Sequence, residues 1–378
     1  MKLPLTEEQA MIREMIHEFA RGEIEPHAQE YNERGEYPVE IIRKLGGLGL
    51  FGMMVPETYG GSGAGAVSYS LALQEIAYSC ASVAVTLSVT NLTTEPLLRY
   101  GTDEQKRRYL IPLASGEHVG AFALTEPEAG SDPSSLRTSA VKKGKSYILS
   151  GTKQFITNGA HAGVFILIAR TSPGKNGLSA FIIPAGSKGL SVGTEERKMG
   201  LRASNTVELI LDECEIPAAN LLGKAGMGLE IALDALDSGR IGIASQAVGM
   251  INACKDEAVN HARERRQFGK AIIRHQSIQN MIADIAVDHE AAVLLAWSAA
   301  SSKDRGGDFS REASIAKLFA TEALIRCAYR ALQIFGGYGY LRDYKIERIY
   351  RDARVTTIYE GTSEVQRMVI ARETEREA

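Results

Sequence analysis

A glutamate near the C-terminus, Glu360, is the residue of this chain best suited to act as a base. It stands next to Gly361, and the stretch that follows is apolar at helical spacing, with Val365, Met368 and Val369. A carboxylate beside a glycine can be buried against a ligand, and exclusion of water raises its pKa toward the range in which a base works. Because most glutamates lie in solvent, a surface position is the alternative for this residue taken alone.

Two segments in the middle of the chain combine hydroxyl groups with a turn or a strand end. Residues 122–132 (FALTEPEAGSD) carry Thr125 and Ser131, and such a turn can present backbone N–H groups and hydroxyls to the polar edge of a ligand. Farther along, Phe155 lies two residues before Thr157, so that a ring could rest against a flat cofactor while the hydroxyl binds it. A plain surface loop and a core phenylalanine are the respective alternatives.

Three segments in the C-terminal part of the chain are rich in arginine or glycine. In residues 237–242 (DSGRIG), Arg240 suits a phosphate because a guanidinium binds it through two donors, and an ion pair with Asp237 is the alternative. Residues 263–270 (RERRQFGK) cluster cations, which either bind a ligand or complement the dipole at a helix end. The glycines of residues 333–340 (QIFGGYGY) either end a helix or let a ligand approach the backbone closely.

The elements that must position these segments fall into three zones, which we predict to be domains. Residues 1–118 have helical periodicity, residues 119–224 consist of short strands between turn clusters, and residues 225–378 return to long helices. Thr6 and Gln9 have the spacing of a capping box at the first helix. The predicted fold class is therefore mainly α-helical with a central β domain.

Within these zones the pattern predicts individual elements. The N-terminal helices are Glu7–Arg21, Val39–Leu48 and Tyr69–Ser79. The strands are Val164–Ala169, Ser179–Ile183 and Asn205–Asp212. The C-terminal helices, Gln246–Arg266, His275–Ser302 and Arg311–Phe335, predict a helical bundle. The β domain is either a barrel or two packed sheets.

Composition excludes several classes of protein. The 378 residues are 44% hydrophobic, enough for two or three domains, and a net charge of −3 argues against a nucleic-acid-binding surface. The four cysteines are scattered and the histidines form no ligand cluster, so we expect no metal site and a reducing cytosol. The N-terminus lacks a signal-peptide pattern, which also favours a cytoplasmic location. The apolar region over residues 70–91 is interrupted by Gln74 and Glu75, which indicates a buried helix and no membrane span.

The order and spacing of the segments described above resemble the acyl-CoA dehydrogenases along essentially the whole chain. Four phrases carry the resemblance: residues 124–132 (LTEPEAGSD), 265–269 (RRQFG), 333–340 (QIFGGYGY) and 358–362 (IYEGT). Residues 239–247 (GRIGIASQA) are similar to the short-chain, or butyryl, branch. The resemblance implies an N-terminal helical domain, a middle β domain, here expected as a barrel, and a C-terminal four-helix bundle.

The resemblance also implies that FAD is the cofactor. No GxGxxG follows a predicted strand, so a Rossmann domain is not expected. By similarity, the flavin ring is expected to contact Phe122, Leu124, Thr125, Ser131, Phe155, Ile156 and Thr157. The ADP half is expected to contact Arg265, Phe268, Gln276, Gln333, Ile334, Gly336 and Gly337, partly across a subunit interface of a homotetramer. Thr362, Ser363 and Glu364 are expected beside the cofactor. The family usually has tryptophan where this chain has Phe155, a mild departure.

For the substrate, the resemblance implies an acyl-CoA thioester facing Ser131, Asp237, Arg240 and Gly361. Glu360 matches the general base of the family, which removes the α-proton of a thioester whose carbonyl is polarised by hydrogen-bond donors. The β-hydrogen then leaves as hydride to flavin N5, giving trans-2-enoyl-CoA, and the electrons pass to electron-transfer flavoprotein.

Position 239 bears on the acyl chain. Branches that act on isovaleryl and long-chain groups place the base at the position matching Gly239, and glycine there leaves Glu360 as the base. This favours straight short- or medium-chain acyl groups. Two alternatives stay open: an oxidase or monooxygenase of the same fold, and a catalytically idle scaffold.

Overall fold

The N-terminal part of the chain is helical, and its first helix begins as predicted. The computed structural model describes residues 3–377, apart from the side chains of Lys175 and Glu377. Thr6 and Gln9 form a reciprocal capping box at the first helix. The helices are α1 (Glu7–Phe19), α2 (Glu25–Arg34), α3 (Val39–Gly47), α4 (Gly65–Ser79), α5 (Ala81–Tyr100), α6 (Asp103–Gln105) and α7 (Ile111–Ala114).

The single buried helix predicted over residues 70–91 is wrong, because two helices occupy this region, whereas the predicted end of the helix Tyr69–Ser79 is confirmed by the end of α4. Cys80 separates α4 from α5 with an extended backbone, at φ −153° and ψ 108°. Both helices are buried on almost every side, so their hydrophobic residues show little of the one-sided periodicity that would separate two helices. Among the described residues, no helix is long and apolar enough to cross a membrane.

The central part is a β domain, as predicted. Its strands are β1 (Val119–Ala123), β2 (Ser139–Lys143), β3 (Ser146–Thr157), β4 (Ala162–Arg170), β5 (Leu178–Pro184), β6 (Leu190–Glu195), β7 (Thr206–Pro217) and β8 (Leu221–Leu222). Hydrogen bonds connect them in the order β6-β7-β3-β2-β4-β5-β8, and β1 pairs in parallel with β4. The two halves meet at one bridge, between Ser139 and Arg170, and the described strands do not close into a ring. The predicted central β domain is thus confirmed, and its strands form one connected eight-stranded sheet.

The C-terminal part is the predicted helical bundle. Its helices are α8 (Gly228–Glu264), α9 (Gln276–Asp304), α10 (Ser310–Phe335), α11 (Lys345–Thr356) and α12 (Ser363–Glu377). A short hairpin, β9 (Arg266–Gln267) and β10 (Lys270–Ala271), follows α8. Fully buried alanines such as Ala244, Ala316 and Ala320 line α8 and α10, and α4 and α5 share the same hydrophobic core. A polar side chain placed on these facing surfaces is thus removed from water.

The predicted domain limits fall in connecting segments. Position 118 directly precedes β1, and position 224 lies shortly before α8. We retain residues 1–118, 119–224 and 225–378 as the proposed domains. In the part of the chain that the structure describes, no three histidine, cysteine or acidic side chains group as metal ligands would.

Candidate active site

The loop that carries Glu360 joins α11 to α12 and has a left-handed backbone. The φ angle is +50° at Glu360 and +90° at Gly361. A non-glycine residue in this conformation costs on the order of 1–3 kcal/mol, so other contacts must stabilise it. Gln366 donates from Nε2 to the carbonyl oxygens of Glu360 (3.1 Å) and Gly361 (3.0 Å). Lys317 donates from Nζ to the Gly361 carbonyl oxygen at 2.7 Å. These two side chains hold the loop in one conformation.

The Glu360 carboxylate is buried against Gly239 of α8. A Cβ atom at position 239 would lie 2.1 Å from Oε2 of Glu360 and 3.0 Å from Cδ1 of Leu92, so glycine alone leaves room. Oε2 is buried without a hydrogen-bond partner among the described residues. Burial raises the pKa of Glu360 to about 7, although the cations of Lys317 and Arg240 oppose the rise. An unpartnered buried carboxylate that titrates near neutrality has the properties of a general base.

Arg240 lies within the protein beside this carboxylate. Its side chain is almost fully buried, pairs with Asp237, and donates from Nη1 to Oγ of Ser314 at 3.1 Å. Burial lowers the pKa of Arg240, while Asp237 and Glu360 oppose that effect. The ion pair considered as an alternative from the sequence is therefore present. One donor, Nε, remains buried and without an acceptor among the described residues, which leaves a group for a ligand to satisfy.

The two segments predicted to contact the flavin ring are joined by a buried ion pair. Lys153 of β3 is fully buried and donates from Nζ to the Leu124 carbonyl oxygen (2.9 Å) and to Oε1 of Glu126 (2.8 Å). Glu126 also accepts from the backbone N–H groups of Arg137 (2.7 Å) and Thr138 (3.0 Å). Burial lowers the pKa of Lys153 to about 8, against the opposing effect of Glu126. The pair fixes the turn after β1 relative to the end of β3.

Phe155 is a surface residue in this arrangement, so its reading as a core residue is wrong. Its side chain is 61% exposed, its φ is +59°, and it lies at an irregularity in the β3–β7 pairing. By contrast, Phe122 and Ile156 are buried. Among residues 3–377, six non-glycine residues have positive φ, and Phe155, Phe268 and Glu360 are three of them. Such strain concentrates at functional sites, and an exposed ring held this way fits a flat cofactor.

Replacing Lys153 with methionine is expected to destabilise this region. Glu126 would stay buried without its cation, and breaking a buried pair from one side costs about 3–5 kcal/mol. We expect a loss of that size in the free energy of unfolding, measured with urea on FAD-free protein, and weaker FAD binding in a flavin fluorescence titration. Lys142→Met, on the exposed side of β2, is the control and should change neither quantity. Equal unfolding free energies for the two variants would contradict a stabilising role of the Lys153–Glu126 ion pair.

The residues predicted to contact the ADP half of FAD lie away from Glu360. They lie at the end of α8 (Arg265), in the β9–β10 hairpin (Phe268), at the start of α9 (Gln276) and at the end of α10 (Gln333, Ile334, Gly336, Gly337). His261 stacks on Phe335 with ring centroids 4.1 Å apart, which joins the ends of α8 and α10. Lys317, beside Glu360, precedes Gln333 on α10 by roughly 24 Å of helix. The structure groups these residues with one another and not with Glu360.

Two further groups of predicted residues differ in exposure. At the start of α12, Ser363 is buried with an unpartnered Oγ, whereas Glu364 is exposed and Thr362 accepts from the N–H of Val365 at 3.3 Å. Thr125 and Thr157 are half-buried in the two segments that the Lys153–Glu126 ion pair joins. Ser131 is exposed in the turn that follows Glu126. The hydroxyls of this surface are therefore available to a ligand.

Sequence reasoning missed four side chains that build the site: Lys153, Ser314, Lys317 and Gln366. A signal was present for two of them. Ser314 and Lys317 are three positions apart on α10 and lie on the same stripe as the buried alanines Ala313 and Ala320. A lysine at a core position of an apolar stripe is an inconsistency that marks functional sites. Lys153 and Gln366 carried no comparable signal in the sequence.

Comparison with known proteins assigns the chain to a family. Models of the N-terminal, middle and C-terminal domains of acyl-CoA dehydrogenase match residues 6–117, 121–214 and 226–374, respectively. This chain belongs to the acyl-CoA dehydrogenase family. It is a flavin-dependent oxidoreductase, and the family and fold class expected from the sequence are confirmed.

Similar proteins span the whole acyl-CoA dehydrogenase chain. An acyl-CoA dehydrogenase of Bacillus subtilis (strain 168) is 51% identical over 97% of this chain and 98% of its own. The solved butyryl-CoA dehydrogenase of Megasphaera elsdenii is 42% identical, covers 100% of both chains and superposes with a TM-score of 0.97. A glutaryl-CoA dehydrogenase of Mycobacterium smegmatis, solved in complex with FADH2, is 32% identical, with 98% and 95% of the chains covered and a TM-score of 0.93.

Proposed function

We propose that this acyl-CoA dehydrogenase converts straight short- or medium-chain acyl-CoA thioesters to trans-2-enoyl-CoA, with Glu360 as the base. The observation that carries the proposal is the contact between Glu360 and Gly239. The carboxylate Oε2 fills the space that any side chain at position 239 would need, so this site has one carboxylate at its centre. The similarity to butyryl-CoA dehydrogenase supports a short acyl chain.

In the proposed reaction, Glu360 takes the proton from the α-carbon of the thioester. Its buried Oε2 has no partner that would compete for that proton among the described residues. The Glu360 backbone N–H likewise donates to no backbone acceptor among the described residues, which suits it to polarise the thioester carbonyl. Arg240, Asp237, Gly361 and Ser131 would contact the substrate around this point.

The residues of this chain fit FAD. The exposed ring of Phe155, the hydroxyls of Thr125 and Thr157 and the unpartnered Oγ of Ser363 would hold its flavin. When bound, FAD supplies the two-electron acceptor that takes the β-hydrogen as hydride. The buried Phe122 and Ile156 and the partly buried Leu124 would complete the contacts with the flavin ring.

A second copy of the chain would complete the cofactor site. The proposed ADP contacts lie roughly 24 Å along α10 from Lys317, too far to belong to the flavin pocket beside Glu360. Phe268 is 93% exposed with φ +52°, as expected of a residue that inserts into a partner. We therefore propose a homotetramer in which these residues complete a neighbouring subunit's site, and electron-transfer flavoprotein as the electron acceptor.

Anaerobic mixing with an acyl-CoA series tests this function. We expect butyryl- or hexanoyl-CoA to bleach the bound flavin faster than palmitoyl-CoA or a branched isovaleryl thioester, measured by stopped-flow absorbance. Fast reoxidation of the product-bound flavin by oxygen would instead favour an oxidase. Purified protein that takes up no FAD would favour a scaffold and contradict the proposal.

A further inference from the structure

Lys317 is a buried cation that has no role in the proposed reaction steps. Its side chain is fully enclosed on α10, and its Nζ donates to the carbonyl oxygen of Gly361, the residue that follows the base. It makes no ion pair with a carboxylate in the described part of the chain. Enclosing an ammonium group without a direct counter-ion is costly, so a lysine at this position calls for a specific reason.

Support of the loop alone does not require a charged group. Gln366 already donates to the carbonyl oxygens of both Glu360 and Gly361 and is fully buried beneath the loop. A neutral donor would satisfy the remaining lone pair of Gly361 at a lower cost of desolvation. The ammonium adds a positive charge near the Glu360 carboxylate. Of the cations around Glu360, Lys317 lowers the pKa of this carboxyl the most.

Other charged or titratable groups face this pair from every neighbouring element. They are Arg240 of α8, Tyr69 of α4, Tyr359 of the loop, Glu322 of α10 and Glu364 of α12, while Arg372 of α12 acts on Arg240. Arg240 is already committed to Asp237 and Ser314. Tyr69 and Tyr359 are buried phenols whose pKa values burial raises far above neutrality, so they stay uncharged. Lys317 is therefore the cation with the largest effect on the base that is not already committed to a carboxylate.

We propose that Lys317 is a positioning residue for the base: its ammonium anchors the left-handed Glu360–Gly361 backbone and places a buried positive charge beside the carboxylate. The inference rests on the proposed role of Glu360. Lys317 itself touches neither reacting carbon. In its absence the burial of Glu360 remains while the main opposing charge is gone, so the carboxyl would hold its proton to a higher pH.

Lys317→Met tests this, since methionine keeps most of the volume and removes both the charge and the donor. In wild-type holoenzyme, flavin reduction by butyryl-CoA should rise with pH around a midpoint of about 7, because the base must lose its proton first. In the variant we expect this midpoint at least ~1 pH unit higher, which corresponds to at least a roughly 5-fold slower reduction at pH 7 that recovers in alkaline buffer. Lys317→Arg, which keeps the charge, should retain a midpoint near that of wild type.

A second readout needs no substrate. Infrared difference spectra of the holoenzyme, wild type minus Glu360→Gln, isolate the protonated carboxyl of Glu360, and its titration should move to higher pH in Lys317→Met. Hydrogen exchange of residues 357–363 should also accelerate, because one of the two anchors of the loop is lost. Lys345→Met is the matched control: Lys345 is another largely buried lysine, paired with Glu25 of α2, and should leave the Glu360 titration unchanged.

The outcomes separate the two proposals. If no acyl-CoA reduces the wild-type flavin, the proposed function fails, while the infrared titration still tests Lys317. If the Glu360 titration and the loop exchange are the same in Lys317→Met and wild type, the inference is overturned. A shift in Lys317→Arg equal to that in Lys317→Met would overturn it too, because charge would then not be the cause.

Discussion

Glu360→Gln is expected to slow flavin reduction by butyryl-CoA on the order of 10³-fold or more, the upper part of the range for losing a general base. Glutamine matches the size of the carboxylate, so it fits against Gly239 without a new clash. It cannot accept the α-proton at any pH, so the loss should persist in alkaline buffer. FAD content and the dissociation constant for acyl-CoA should stay close to wild type, because the loop anchors are unchanged. Anaerobic stopped-flow reduction, with flavin absorbance to confirm cofactor content, measures this.

The matched control is Glu257→Gln. Glu257 is a half-buried carboxyl of α8 whose pKa burial also raises, but it lies next to Lys345 and not in the site. We expect its reduction rate to remain within a few-fold of wild type. Equal rates for Glu360→Gln and wild type would show that another group removes the proton.

The second large effect is expected for Gly239→Ala. The added Cβ would stand 2.1 Å from Oε2 of Glu360, and the rigid backbone of α8 cannot retreat. The carboxylate is the free end of a flexible side chain, so it should rotate out of its position instead. We expect reduction by acyl-CoA to fall ~100-fold or more, because a base displaced by an ångström or more loses its alignment with the α-carbon.

Gly239→Ala should lower the rate of flavin reduction without a matching loss of stability. Alanine is favoured over glycine by about 1 kcal/mol inside a helix, which offsets the contact with Cδ1 of Leu92. The unfolding midpoint in urea should therefore change little while the reduction rate falls. Gly22→Ala, where no atom lies within 4 Å of the new methyl, is the control and should be active. A Gly239→Ala variant as active as wild type would contradict the packing of Glu360 against α8.

Much of the fold followed from local patterns. Alternation placed Val207, Leu209 and Leu211 on a buried face of β7, and the capping spacing of Thr6 and Gln9 marked the start of α1. The predicted helix Tyr69–Ser79 ended where α4 ends, but the buried helix predicted over residues 70–91 ran across this boundary, because α4 and α5 are buried on almost every side and their periodicity is weak. The form of the β domain was likewise open, because strand order depends on pairings between residues far apart in the sequence.

The sequence by itself determined the order of zones, the family, and the glutamate and glycine at positions 360 and 239. These depend on residue types and on their spacing, both of which can be read from the sequence. Only the tertiary structure showed that Oε2 of Glu360 occupies the space above Gly239 and that Lys317 and Gln366 hold the loop. The reason is physical: a buried polar group is recognised by its contacts, and α8 and α10, which carry Gly239 and Lys317, are dozens of residues from Glu360 and meet its loop only through packing.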